Sequence, residues 1–221
     1  MRAAILASFI GFAVPAQACE AALMLAVDVS GSVDPNEYRV QMDGLAAGLL
    51  DGSVTDALIS GRVKLALMQW TGAGRQSVVI GWTEMTKKVD VTTFADRVVS
   101  EPRLWRNFST AIGEALVLSL TYFAQVPECK RHVIDVSGDG RSNEGRSPRN
   151  VWQDLSMAEV TVNAIVIEQS VPNLAAYFES EVNMGPGAFV VLADRFEDYP
   201  EQIVRKLYRE LTKTIASTQM D

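Results

Sequence analysis

The chain has 221 residues, one histidine, two cysteines and a formal net charge of −7. An acidic chain is poorly suited to bind nucleic acid or anionic lipid, because both need a basic face. The length suits one well-buried domain and is tight for two, and there is no internal repeat, low-complexity tract or linker-like stretch.

The chain opens with a positive Met1-Arg2, an apolar run from Ala3 to Val14 and the small-x-small sequence of Ala16 to Ala18. This reads as an export leader, residues 1–18, because about a dozen apolar residues fall short of the roughly 20 needed to span a bilayer. No later segment is long and apolar enough to cross a membrane. A periplasmic or secreted chain is expected, with residues 19–221 as a single domain and a net charge of −8 once Arg2 is removed. Export makes a disulfide between Cys19 and Cys129 chemically possible. Lipidation of Cys19 is the competing reading, but the preceding VPAQA fits a lipoprotein signal poorly.

The remaining sequence alternates strands and helices. Ala22 to Ser30 is nearly continuous apolar sequence, as a strand buried on both faces requires. A helix follows over 35–51, with Asp34 as N-cap, Pro35 at its first position and Glu37 completing a capping box. Val63 to Trp70 is the second strand. TGAGR then links it to Gln76–Thr83, too short a connection for a parallel crossover, so the third strand is expected antiparallel. Helices are expected over 91–100 and 110–125, the second with Ile112, Ala115, Leu116, Ser119, Tyr122 and Phe123 along one face. A strand at 131–137 runs into the turn SGDG. A helix at 149–159, a buried strand at 160–168, a helix at 173–182 and a strand at 188–193 follow. The closing helix, 199–216, places Ile203, Leu207, Leu211 and Ile215 at helical spacing. This alternation predicts an α/β fold: a doubly wound, mostly parallel sheet with helices on both faces.

The first and fourth strands end alike, on DVSGS and DVSGDG. In such sheets ligands gather at the carboxyl ends of the strands, near the reversal of strand order. Cys19 lies nine residues before Asp28, and Cys129 ten before Asp139. Parallel neighbours about 4.8 Å apart would therefore bring the aspartates together at one end and the cysteines at the other. Because the third strand descends, the helix after it rises, and Thr110 starts the next helix on the rim that holds Asp28 and Asp139. Asp28, Ser30, Ser32, Thr110 and Asp139 thus converge as five oxygen donors without nitrogen or sulfur. Such a set suits a hard cation, Mg²⁺ first, with Mn²⁺ or Ca²⁺ as alternatives. Three neutral hydroxyls leave the ion short of negative charge, and an open position would attract an outside carboxylate.

At these residues the chain resembles the von Willebrand factor type A family, whose metal-ion-dependent adhesion site reads D-x-S-x-S, then a threonine, then an aspartate. Asp28, Ser30 and Ser32 match the first element, Thr110 the second and Asp139 the third. The likeness extends over essentially the whole chain after the leader, and within the family it looks most like exported bacterial single-domain members. It implies six strands in the order 3-2-1-4-5-6, a divalent metal and a protein partner presenting Asp or Glu. SGDG departs slightly from the family, in which many members have a threonine before this aspartate.

Arg75, Arg103, Arg106, Arg141, Arg146 and Arg149 fall in segments assigned to the metal rim, where they could steer an acidic partner. Arg103, Arg106, Arg141 and Arg146, with Trp105 and Asn143, form the expected partner-binding set; Glu144 is a further rim residue. Asp135, an acid inside a buried strand, is expected to be hydrogen-bonded, to backbone or to a hydroxyl. His132, at a strand's start, is read as structural. The function expected is a metal-dependent protein-binding module of the bacterial envelope. Two alternatives are a structural envelope component with a vestigial site and a metal-dependent hydrolase. Against hydrolysis, Ser30 stands where phosphotransfer sites place a second acid, no lysine lies in the rim segments, and the one histidine is badly placed for a triad.

Overall fold

The computed structural model describes residues 19–217, with side chains as far as Thr212. The expected leader lies outside the described residues, as does the Ile215 side chain. Strands β1 (Ala22–Asp28), β2 (Lys64–Trp70), β3 (Gln76–Glu84), β4 (His132–Gly138), β5 (Val160–Ile167) and β6 (Val190–Ala193) form one sheet in the order β3-β2-β1-β4-β5-β6. Only β3 is antiparallel to its neighbour. It sits at the edge, and its pairing with β2 shifts register twice near Leu67.

The central position of β1 follows from its composition. Leu23, Leu25 and Val27 enter one core, and Ala22, Met24 and Ala26 enter the other. The first core is closed by α1 (Pro35–Leu50), α2 (Gly52–Ser60), α3 (Lys88–Ser100) and α7 (Tyr199–Ser217). The second is closed by α4 (Ile112–Phe123), α5 (Trp152–Met157) and α6 (Leu174–Glu181). A residue buried on either face removes its apolar area from water at about 25 cal/mol per Å². An apolar β1 is therefore stable only with helices on both sides.

Helix α2 is not assigned in the sequence reading. Asp51 ends α1 and starts α2 in one step, its Oδ1 accepting from the backbone N–H groups of Ser53 at 2.9 Å and Val54 at 3.3 Å. The segment expected as one helix over 149–159 is a 3₁₀ turn, Pro148–Val151, running into the shorter α5. The Asp34 capping box is present as expected, with Asp34 Oδ1 accepting from Asn36 and Glu37 and Glu37 Oε2 accepting from the Asp34 N–H.

β1 and β4 run parallel in a register pairing Ala22 with His132 and Val27 with Ser137. Cys19 and Cys129 form the disulfide at the lower end of this pair, with Cα atoms 4.5 Å apart. It is buried, like the strands it joins. Among the described residues no helix is long and apolar enough to cross a membrane.

The inward acid of β4 has an unexpected partner. Asp135 Oδ1 lies 2.6 Å from Lys206 Nζ on α7, and Lys206 also lies 3.2 Å from Glu210 Oε2. All three are buried. The Asp135 contact has ion-pair distance without hydrogen-bond alignment, so both of its oxygens lack a directional donor. Asn163 on β5 donates to Glu210 Oε1 at 2.6 Å, and Arg131 donates to the Glu210 carbonyl at 3.3 Å. A lysine ion pair thus stands where a backbone or hydroxyl bond was expected. Burial pushes the Asp135 carboxyl up, and Lys206 opposes that rise. His132 takes the structural place expected of it, its Nε2 3.1 Å from the Val126 carbonyl and its ring against Phe123.

Candidate metal centre

The upper ends of β1 and β4 carry the two acids. Beyond β1, the Val29 N–H donates to Trp70 O at 2.9 Å, so the chain stays sheet-like for one residue before it turns. The turn is tied by Asp28 itself, whose Oδ1 accepts from the Ser30 N–H at 2.7 Å. Ser30 Oγ and Ser32 Oγ lie 3.2 Å apart, and Ser32 Oγ donates to Asp139 Oδ1 at 2.6 Å. Thr110 closes the ring: a Cβ placed on Gly140 would lie 3.7 Å from Thr110 Oγ1 and 3.9 Å from Ser32 Oγ. Ser32, Thr110 and Asp139 line one groove, and buried Asp28 and Ser30 join them through the Asp28–Ser30 hydrogen bond and the Ser30–Ser32 contact.

Asp28 Oδ2 is enclosed and accepts no hydrogen bond. A buried carboxylate oxygen without a donor is costly unless a cation neutralises it. Burial first, and then the neighbouring Asp139, push the Asp28 carboxyl up to about 8. The Ser30 donors and Arg103 pull the other way. Burial also raises Asp139, against the Ser32 hydrogen bond. Interacting buried carboxyls favour the uptake of a proton or a cation. Among the described residues no group of three or more His, Cys, Asp or Glu side chains is placed to hold a metal. The set here is of another kind, two carboxylates and three hydroxyls, and it fits a hard divalent ion.

The surrounding loops hold these donors in place. Thr110 precedes α4 and is fastened at both backbone groups. Its N–H donates to Asn143 Oδ1 at 2.9 Å, and its carbonyl accepts from the N–H groups of Asn143 at 2.8 Å and Glu144 at 3.2 Å. Glu144 Oε2 accepts from the Ala73 N–H at 3.0 Å, tying the same loop to the β2–β3 turn. Gly113 allows α4 to press on this loop, since a Cβ there would lie 2.1 Å from the Arg146 carbonyl oxygen. The 101–111 loop lies over the D-x-S-x-S turn so closely that a Cβ on Gly31 would lie 3.2 Å from Asn107 Cα.

The six residues expected to meet a partner divide by position. Asn143 lines the groove over the site and also fixes Thr110. Arg103 Nη2 turns inward, donating to the carbonyls of Val29 at 3.0 Å and Ser30 at 2.8 Å. Trp105 is half-buried and packs against the core under α1 and α3. Arg106 and Arg146 are exposed. Arg141, which lines the groove, lies over the Tyr177 ring, 5.0 Å from its centroid; Arg75 stacks at 3.9 Å on Phe108, another lining residue. Arg149 is engaged with Ser180, Glu181 and Trp152, away from the five oxygens.

Two residues outside the expected set, Gln69 and Tyr38, also support the site. Gln69 Nε2 donates to Tyr38 Oη and to Pro102 O, its Oε1 accepts from the Leu104 N–H, and Tyr38 Oη donates to Glu101 O. Together they anchor the 101–111 loop from below. The available signal was a glutamine near the end of an otherwise apolar strand, because a buried amide needs partners at both its ends.

A family described as "Protein of unknown function (DUF1194)" matches residues 18–215. The chain belongs to this family. No curated protein matches this DUF1194 chain. Among solved structures it is similar to the mussel byssus proximal thread matrix protein 1 with a zinc-occupied MIDAS motif, at 16% identity and TM-score 0.62, covering 90% of this chain and 47% of that one. It is similar to a von Willebrand factor type A protein from Catenulispora acidiphila, at 17% identity and TM-score 0.60, covering 89% and 43%. It also matches an aerotolerance-related membrane protein from Bacteroides fragilis, at 16% identity and TM-score 0.53, covering 85% and 98%. The DUF1194 chain spans about half the length of the mussel and Catenulispora chains. The fold is that of the von Willebrand factor type A domain, with the expected strand order and antiparallel third strand.

Proposed function

We propose that this DUF1194 chain is a metal-dependent protein-binding module of the bacterial envelope. Residues 1–18 are its export leader and residues 19–221 its one domain. Asp28, Ser30, Ser32, Thr110 and Asp139 hold a divalent ion directly or through water, Mg²⁺ first and Mn²⁺ or Ca²⁺ as alternatives. A partner's Asp or Glu completes the ion's coordination, so the module acts by capture and not by turnover.

The observation that carries this reading is the enclosed, donor-less Asp28 Oδ2 among four other converging oxygens. An all-oxygen set favours a hard cation, and its three neutral hydroxyls leave the ion attractive to an outside carboxylate. The zinc-occupied motif in the mussel structure supports a divalent ion in this fold. The buried disulfide is consistent with an oxidising compartment.

The test is calorimetric titration of Mg²⁺ and Mn²⁺ into chelator-stripped protein beside Asp28→Ala and Asp139→Ala. Saturable binding lost in both variants is expected. Binding that survives both substitutions would place the ion elsewhere, and no binding to the unaltered protein would favour a structural role with a vestigial site.

A further inference from the structure

Beside the metal rim, between the first turn of α1 and the 101–111 loop, lies a cavity of about 400 Å³. Its lining includes Tyr38, Arg39, Glu101, Arg103 and Arg106. Three guanidinium groups thus share one hollow with a single acid, on a chain of net charge −7. Arg39 is engaged with Asp43 and with the Val99 carbonyl. Among the described residues, neither Arg103 nor Arg106 has a carboxylate within ion-pair distance.

Arg103 is the informative member. Two carbonyls of the D-x-S-x-S turn hold its Nη2, so its head group is fixed and not free to sweep through solvent. Its Nε is enclosed without an acceptor. Arg106 lines the same cavity. A buried donor without an acceptor costs about 1–3 kcal/mol, and two adjacent cations add repulsion. A carboxylate entering the cavity would offset that repulsion. With its Nη2 held by two carbonyls, Arg103 would meet a carboxylate through a single bond, and exposed Arg106 supplies the open planar fork that matches a carboxylate in bidentate geometry.

We propose that this hollow is a carboxylate-binding subsite for a second acidic side chain of the partner. The preferred ligand is then a polypeptide segment carrying at least two Asp or Glu residues, one at the metal and one between Arg103 and Arg106. This deepens the metal-bridge reading and rests on it for the first of the two contacts. Because Arg103 also bonds to Ser30, the two subsites share one turn, and the second contact forms at the high effective concentration set by the first.

The test follows the Arg103 and Arg106 Nε–H signals by NMR on ¹⁵N-labelled protein. A capped hexaglutamate and a capped Gly/Ser hexapeptide with one Glu are titrated, first in chelator and then with saturating Mg²⁺. In chelator, hexaglutamate is expected to move both arginine signals in a saturable way. With Mg²⁺ it should bind at least about tenfold more tightly than the single-Glu peptide, a difference of about 1.4 kcal/mol. Arg106→Glu should abolish that advantage.

Unmoved arginine signals at up to about 10 mM hexaglutamate, beyond the range of a weak millimolar contact, would overturn the subsite. So would equal affinity for the two peptides in Mg²⁺, or an equal response to inorganic phosphate, which would mark a general anion site. Arginine signals that respond while Mg²⁺ changes neither peptide's affinity would support the subsite and remove the metal bridge.

Discussion

Asp28 gives the sharpest quantitative prediction, because a metal and a proton compete for the same oxygens. In the metal-free fold its carboxyl stays protonated up to about pH 8, whereas in the unfolded chain it ionises near 3.8. A raised folded value contributes stability that is fully present below pH 3.8 and is lost as the pH rises through about 8. The slope is at most about 1.4 kcal/mol per pH unit. Melting temperature in chelator should therefore fall between pH 5 and pH 8.

Metal binding reverses this trend by displacing the proton. At pH 7, with the Asp28 carboxyl raised to about 8, metal binding should release about one proton per ion bound. Apparent affinity should rise about tenfold from pH 6 to 7, about fivefold from 7 to 8, and little beyond 9. The assay is calorimetry of Mg²⁺ and Mn²⁺ in two buffers of different ionisation enthalpy, which counts the protons directly. Asp28→Asn should abolish both the binding and its share of the chelator-state pH slope. An affinity flat between pH 6 and 8 with no proton released at pH 7 would refute the competition, even if the metal bound.

Four further variants probe the site's frame and the core beneath it. Asn143→Ala removes the acceptor for the Thr110 N–H; it should cost about 1–3 kcal/mol in denaturant unfolding and weaken Mg²⁺ binding in calorimetry. Gly113→Ala forces a methyl group against the Arg146 carbonyl; the loop must move, and a loss of about 1–3 kcal/mol by thermal unfolding is expected. Lys206→Met strands Asp135 and Glu210 in the core and should cost about 3–5 kcal/mol in urea at pH 8, with a smaller loss at pH 5, where Asp135, raised by burial, is protonated and needs no counter-charge. Replacing both Cys19 and Cys129 by serine opens a bridge across 110 residues of sequence; urea unfolding should report a loss of about 2–5 kcal/mol.

Much of the fold was legible because it rests on short-range patterns. The unbroken apolar run of β1 requires cover on both faces, the five-residue TGAGR link excludes a parallel crossover, and the Asp34-Pro35-Glu37 start is a local hydrogen-bond unit. The juxtaposition of Asp28 and Asp139 was legible because the cysteine-to-aspartate spacings on the two strands, nine and ten residues, nearly match, and that of Thr110 because the antiparallel third strand fixes the direction of the helices after it. The second helix was not, since Asp51 serves α1 and α2 within one residue and leaves no break in composition. Helical spacing in α7 had marked Ile203, Leu207 and Leu211, and the same stripe contains positions 206 and 210. Lys206 and Glu210 were nonetheless not read as inward-facing, because charged residues seldom occupy a core.

The sequence by itself determined the order of the elements, the all-oxygen chemistry of the candidate site and the pairing of the cysteines, all of which follow from residue type and spacing along the chain. Only the tertiary structure decided what each rim residue does. Arg103, chosen for its charge, braces the D-x-S-x-S turn; Asn143 holds Thr110; Gln69, overlooked, anchors the loop above the site. These roles depend on contacts between segments far apart in sequence. Such contacts arise only where folding burial forces each polar group to find a partner, and spacing along one chain does not encode them.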